Sequence, residues 1–193
     1  MPSQRWPPFD TANALGFLGY ACLADGQTEE ALGALKKAVR LTAKLKMYQY
    51  EGWFGAFLAE ASLAKGDFEQ ARRFAVRALQ LTRSRNYRYG VGLAQRALGR
   101  LAHARGAVAE ARGYLVDALA AFSDIEAWFE MGRTRLALAE LAHAQGDPEA
   151  LAARLRDAHE LFRALELPWW VERTEQLAGE WGVPLGTAPA LLG

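Results

Sequence analysis

The sequence predicts an all-α protein made of four stacked helix pairs followed by a single closing helix. Four glycines carry this prediction, because each ends one apolar helical stretch, is followed by another, and recurs at one constant spacing. They are Gly26, Gly66, Gly106 and Gly146, and their numbering gives a 40-residue period. A repeat of this length is typical of arrays in which each helix pair packs against its neighbours. Hydrophobic residues make up 51% of the chain, which is enough for a continuous core.

Leucine and small residues recur at fixed distances before the turn glycine. Each repeat places a leucine directly before a glycine or alanine in its first helix, as in Leu98 and Gly99. The small residue lets the two helices of a pair approach closely, and the leucine fills the gap between neighbouring pairs. We therefore expect matching buried positions for the whole leucine series, which is Leu18, Leu58, Leu98 and Leu138.

The repeated glycine and leucine positions give the order and approximate bounds of the helices. The predicted helical domain covers residues 11–181, and its helix pairs are 11–25 with 28–45, 48–65 with 68–84, 88–105 with 108–122, and 127–145 with 148–165. The four repeats therefore span 11–45, 48–84, 88–122 and 127–165, and a further glycine opens the later ones, at Gly52, Gly92 and Gly132. A turn glycine can adopt the left-handed conformation that ends a helix.

The two ends of the chain are predicted to differ from the repeats. A closing helix over 168–181 begins at Pro168, and it is expected to cover the last apolar face with Trp169, Trp170, Leu177 and Trp181. Residues 1–10 contain three prolines and residues 182–193 are rich in glycine and proline, so both segments are predicted to be irregular.

Charge and cysteine usage limit the possible partners. The chain of 193 residues has 23 basic and 22 acidic side chains, and a net charge of +1 gives no global reason to expect nucleic acid or an anionic membrane. The single cysteine, Cys22, excludes an internal disulfide and fits the reducing cytoplasm. An apolar run over 12–24 after Arg5 loosely resembles a secretion signal, but the run follows the repeat pattern.

The sequence lacks the common motifs of catalysis and cofactor binding. It contains no phosphate-binding GxxxxGK[ST], GxSxG, HExxH or CxxC pattern, so we expect neither an enzyme nor a cofactor. His103 and His143 occupy the same repeat position and could form half of a metal site. No clear third ligand accompanies them, and we expect no metal there.

The repeated positions resemble those of the tetratricopeptide repeat. The resemblance covers residues 11–165 and rests on Leu18 with Gly19, Gly26, Ala31, Ala38 and their equivalents in the next three repeats. It implies a right-handed superhelix whose first helices line a concave groove for a protein or peptide. The 40-residue period departs from the family pattern, in which a repeat usually has about 34 residues. This longer version is similar to the sensor arrays of MalT-like and cyclase-linked bacterial signalling ATPases.

The resemblance implies a set of groove residues, one group on each first helix. Helical spacing supports the grouping, because consecutive members of each full group, such as Leu93, Arg96, Arg100 and His103, are three or four residues apart. The candidate ligand-binding residues are Asn13, Tyr20, Trp53, Glu60, Arg96, Arg100, His103, Arg133, Glu140 and His143.

The candidate groove has an aromatic half and a cationic half. Tyr20 and Trp53 come from the first two repeats, whereas Arg96, Arg100 and Arg133 come from the last two. Aromatic anchors and arginines suit a peptide that carries one apolar side chain and one acidic group. The alternative is that Glu60 and Glu140 neutralise these arginines in a solvated ion-pair face.

The predicted function is therefore an adaptor or sensor module that binds a protein or peptide without catalysis. Two alternatives remain open at this stage. The groove could instead sense a small-molecule effector, as the resemblance to the MalT-like regulators suggests. The exposed end faces could also mediate self-association into a homodimer.

Overall fold

The computed structural model describes residues 7–185, and this part of the chain contains nine α-helices and no strand. The helices are α1 (Pro8–Ala24), α2 (Thr28–Lys44), α3 (Tyr48–Ala64), α4 (Phe68–Arg83), α5 (Arg88–Ala104), α6 (Val108–Ser123), α7 (Trp128–Ala144), α8 (Pro148–Ala164) and α9 (Pro168–Glu180). The predicted all-α fold class is confirmed.

The chain forms two compact units. In the first unit, Met1–Ile125, the pairs α1/α2, α3/α4 and α5/α6 pack as hairpins, and the first helices α1, α3 and α5 lie side by side. In the second unit, Glu126–Gly193, α7 and α8 form a hairpin, and α9 packs on α8. The core of the second unit includes Leu136, Leu155 and Phe162, with Leu177 contributed by α9.

The turn glycines adopt the left-handed conformation that the sequence predicts. Their φ angles are 76°, 82°, 74° and 65° in chain order, values that a side chain would make costly. After the second turn, the carboxylate of Asp67 caps α4 by accepting a hydrogen bond from the backbone N–H of Gln70 at 3.0 Å. This hydrogen bond, together with a second one from the Gln70 side chain, holds the pKa of Asp67 below its ordinary value of 3.8.

The additional glycine in the first helix makes room for one large side chain of the second helix. A Cβ atom at Gly92 would lie 2.6 Å from the ring of Phe122, and one at Gly132 would lie 2.6 Å from the ring of Phe162. Both phenylalanines are completely buried, and they occupy the same position of their repeats. The glycine therefore allows the close approach of the two helices around a bulky core residue.

The predicted leucine series holds for three of its four members. Leu58, Leu98 and Leu138 are 1%, 5% and 7% exposed, but Leu18 is 55% exposed. The prediction was wrong for Leu18, because α1 is the first helix that the structure describes and has a neighbouring pair on one side only.

The predicted chain ends also need correction. The irregular segment predicted for residues 1–10 is too long, because α1 begins at Pro8, where a missing N–H is tolerated. In the closing helix, Leu177, Trp170 and Trp181 pack on the core as expected, whereas Trp169 is 56% exposed. Most of the predicted irregular tail, residues 186–193, lies outside the described part of the chain.

The turns between repeats contain a feature that the sequence did not reveal. Four residues that are not glycine have positive φ angles of 53° to 56°, and they recur with the period of the repeat. They are Lys46, Asn86, Glu126 and Glu166. Each of these residues follows the second helix of a repeat and adopts the left-handed backbone conformation there. The turn glycines adopt the same conformation after the first helix.

Candidate functional site

The candidate site in the first unit is the surface formed by α1, α3 and α5, which we call the first-helix face. Tyr20, Glu60 and Arg100 occupy the same position in three successive repeats, so one column of this face presents an aromatic ring, a carboxylate and a guanidinium group. Asn13 and Trp53 occupy the same positions of α1 and α3 and are half-buried.

Glu60 lies between two arginines of the neighbouring helix α5. Its Oε1 accepts a hydrogen bond from Nε of Arg96 at 3.5 Å, and its Oε2 accepts one from Nη1 of Arg100 at 3.4 Å. The side chains of Glu60 and Arg96 are 3% and 2% exposed, whereas that of Arg100 is 41% exposed. One carboxylate thus contacts two guanidinium groups, one buried and one half-exposed.

Burial separates the roles of the two arginines. The guanidinium of Arg96 also lies 5.5 Å from the ring centroid of Phe122, so this side chain is part of the core. The interpretation of Arg96 as a ligand-facing cation is therefore corrected. A buried charge is tolerated only when it is paired, and Glu60 supplies the pairing. Arg100 is the cation of this cluster that solvent or a ligand can reach.

Aromatic contacts hold the other half of the face. The ring of Tyr20 lies 4.6 Å from that of Phe57, and the ring of Trp53 lies 5.2 Å from Tyr50 and 5.0 Å from Tyr89. These packed pairs fix the ring positions, which lowers the entropy that binding would cost. Tyr20 and Trp53 nevertheless remain half-buried, so part of each ring is exposed.

In the second unit, Arg133 takes part in the local packing. Its side chain is 14% exposed and lies 3.6 Å from Oε2 of Glu130, with its guanidinium 5.8 Å from the ring of Phe129 and 5.5 Å from that of Trp170. Arg133 therefore takes part in packing between α7 and α9, which differs from the predicted ligand contact.

The other predicted residues of the second unit also lie on α7. His143 is exposed and its ring stacks on Trp181 with the centroids 4.7 Å apart, and Glu140 is half-buried.

His103, the remaining predicted residue, is half-buried near the end of α5 in the first unit. Across residues 7–185, no group of three or more His, Cys, Asp or Glu side chains is arranged to hold a metal ion. None of the helices described is both long and apolar enough to cross a membrane.

Sequence reasoning missed a set of ion pairs that repeat between neighbouring hairpins. Lys65 lies 2.7 Å from Glu29, and Arg105 pairs with Glu69 in the same way, because both partners are shifted by one full repeat. The basic residue directly precedes the turn glycine, and the acidic residue opens the second helix of the preceding repeat. A search for opposite charges at this separation, repeated at the period, would have found them.

Known proteins provide an independent comparison. The family model described as "Tetratricopeptide repeat" matches residues 52–77 and 132–157, which lie in the second and fourth repeats. No curated protein matches the sequence significantly.

Several solved structures share the fold at low sequence identity. The apo form of RapI superposes with a TM-score of 0.71 at 14% identity, over 95% of this chain and 67% of that chain. BtubC (BKLC) from P. vanneervenii gives a TM-score of 0.59 at 16% identity, over 100% and 74% of the two chains. A candidate kinesin light chain of Podosopora anserina, with nearly identical TPR-like repeats, gives 0.53 at 16% identity, over 92% and 97%. These similarities fit the predicted all-α repeat superhelix.

Proposed function

We propose that this chain, a helical-repeat protein of the tetratricopeptide-repeat family, binds an acidic segment of a protein or peptide on its first-helix face. Proteins built from such repeats typically serve as interaction modules without catalytic activity. In this proposal Arg100 binds a carboxylate of the ligand, and the exposed edges of Tyr20 and Trp53 contact an apolar side chain.

The observation that carries this proposal is the different exposure of the two arginines that contact Glu60. Glu60 contacts both guanidinium groups, but Arg96 is buried, so the half-exposed Arg100 is the cation of this cluster that a ligand can reach. Guanidinium groups bind carboxylates in a bidentate manner, so an acidic side chain or chain terminus of the ligand suits the exposed Arg100. The fixed aromatic rings of Tyr20 and Trp53 lie on α1 and α3 of the same face and favour a ligand that also carries an apolar residue.

We further infer the setting of this module from its sequence. The single cysteine supports a reducing compartment such as the cytoplasm. The resemblance of the 40-residue repeats to the sensor arrays of bacterial signalling ATPases supports a role as a sensor or adaptor in bacterial signalling. In that setting the chain would recruit a partner and leave catalysis to other proteins.

A peptide array provides the direct test. Short peptides with acidic residues around one aromatic residue are compared with matched peptides in which Asn and Gln replace Asp and Glu. We expect the protein to prefer the acidic set by about fivefold, which corresponds to roughly 1 kcal/mol for a partly exposed ion pair. The preference should disappear in Arg100→Gln, whose fold is preserved because Glu60 keeps its partner Arg96.

Two further variants complete the design. Arg156→Gln removes an exposed arginine of α8 and should leave the preference unchanged. Arg96→Glu is unsuitable as a probe, because it would bury a second carboxylate beside Glu60 and destabilise the core. Equal binding of both peptide sets by the unmodified protein, or a preference that persists in Arg100→Gln, would contradict the proposal.

A further inference from the structure

The near-neutral net charge conceals a separation of charge between the two units. Residues 1–125 contain 17 Lys and Arg against 11 Asp and Glu, a net charge of +6. Residues 126–193 contain 6 basic against 11 acidic residues, a net charge of −5. The two units therefore have net charges of opposite sign, which the overall charge of +1 does not reveal.

In the first unit, the positive charge is concentrated on the second helices α2 and α4. These two helices contain eight basic and three acidic residues, and the basic residues are Lys36, Lys37, Arg40, Lys44, Arg72, Arg73, Arg77 and Arg83. All but the half-buried Lys36 are exposed. Among the described residues, no carboxylate lies within ion-pair distance of Lys37, Arg40 or Arg73. We call these basic residues of α2 and α4 together the basic face.

In the second unit, α9 and the turn before it present an acidic surface. Glu166, Glu172, Glu175 and Glu180 are exposed here, against one basic residue, Arg173. Trp169 lies on the same helix and is 56% exposed. Tryptophan is the ring that attracts cations best, and Trp and Arg are the commonest energetic centres of protein interfaces. We call this surface the acidic α9 face.

We propose that the basic face of one molecule binds the acidic α9 face of a second copy of this chain. The two surfaces have opposite charge, and the arginines of the basic face can contact both the glutamates and the exposed indole of Trp169. A nucleic acid or another polyanion would satisfy the basic face alone and would leave the acidic α9 face without a partner. A second copy satisfies both surfaces through a single type of contact.

Such an interface depends strongly on salt. Charges on exposed surfaces interact across about 10 Å at 0.1 M ionic strength but across only about 3 Å at 1 M. Sedimentation equilibrium of the full chain should therefore detect association at low ionic strength and a monomer at high ionic strength. The mass at low salt also tells whether the contact closes into a dimer or continues into longer chains.

Charge reversal identifies the two surfaces. Reversing the basic face in Lys37→Glu/Arg40→Glu/Arg73→Glu should weaken association about tenfold or more, since each exposed ion pair contributes a few-fold. Reversing the acidic α9 face in Glu166→Lys/Glu172→Lys/Glu180→Lys should have the same effect. Lysine is tolerated at position 166, because Lys46 occupies the equivalent position with the same positive φ.

Mixing the two reversed proteins is the decisive measurement. Each alone carries two surfaces of like sign and should remain a monomer, but together they present opposite signs and should associate again. As a matched control, Arg73→Glu should weaken association, whereas Arg156→Glu on α8 changes the net charge equally and should not.

Clear outcomes would overturn the proposal. These are a monomer at low salt, a mixture of reversed variants that fails to associate, or a monomer whose basic face retains DNA or heparin. If a triple variant fails to fold by circular dichroism, the single pair Arg73→Glu and Glu172→Lys permits the same mixing experiment.

Discussion

Leucines at one repeat position provide a test of how neighbouring helix pairs stabilise the fold. Leu98 is 5% exposed, whereas Leu18, its equivalent two repeats earlier, is 55% exposed. The same substitution at both positions therefore compares a packed environment with an open one while the residue type and helix position stay constant. We predict that Leu98→Ala destabilises the protein far more than Leu18→Ala.

The magnitudes follow from burial. Leu→Ala removes three carbon atoms' worth of apolar side chain, and each buried methylene contributes about 0.8 kcal/mol, to which a cavity adds its own cost. Leu98→Ala should therefore lower the free energy of unfolding by about 2–5 kcal/mol. Leu18→Ala loses a smaller transfer term and leaves no enclosed cavity, so its cost should stay below about 1 kcal/mol.

Urea unfolding followed by far-ultraviolet circular dichroism measures both costs, provided that the slopes of the transitions are unchanged. Leu58→Ala and Leu138→Ala serve as replicates, because both leucines are as buried as Leu98. Equal losses for Leu18→Ala and Leu98→Ala would refute the reasoning, since repeat position alone, regardless of burial, would then set the energy.

Three further predictions test other parts of the fold. Gly92→Ala should destabilise by about 1–3 kcal/mol, because its Cβ would strike a buried ring, whereas Gly113→Ala meets no atom within 4 Å and should be neutral or stabilising in the same denaturation assay. Glu126→Gly should raise the unfolding free energy by about 0.5 kcal/mol, because glycine adopts the positive φ without a steric cost, and a loss of stability would contradict this explanation. The lowered pKa of Asp67 should give the unmodified protein a higher melting temperature than Asp67→Asn at neutral pH. This advantage should vanish as the pH falls below 3.8 and the carboxylate is protonated, and a constant difference across that range would exclude the charge as its cause.

The sequence was sufficient for the hairpins because their determinants are local and repeated. A turn glycine and a leucine beside a small residue each act within one helix pair, and their period places the next pair. The residues with positive φ between repeats could not be predicted, because lysine and glutamate, as at Lys46 and Glu126, do not usually adopt this backbone conformation. Only the recurrence of the turn itself in every repeat could have pointed to them.

Burial of the candidate site residues depends on distances between helices, which a single sequence does not encode. Arg96 and Arg100 lie one helical turn apart and look equivalent in the sequence. In the structure, the first is enclosed between Glu60 and the ring of Phe122, and the second reaches solvent. The exposure of Leu18 also depends on packing between helices, because it is set by what lies against α1 and not by the sequence of α1 itself.

The repeat divides its positions between packing and recognition. The position of Gly99 holds glycine or alanine in every repeat, because a larger side chain there would strike a neighbour such as Leu115. At the position of Tyr20, Glu60 and Arg100 the repeats differ in size, charge and polarity, so packing does not fix the residue type there. Glu60 shows that such freedom can also serve stability, because it neutralises a buried arginine. The half-exposed Arg100 is the member of this column whose charge remains available to a partner, which is why its substitution separates binding from folding.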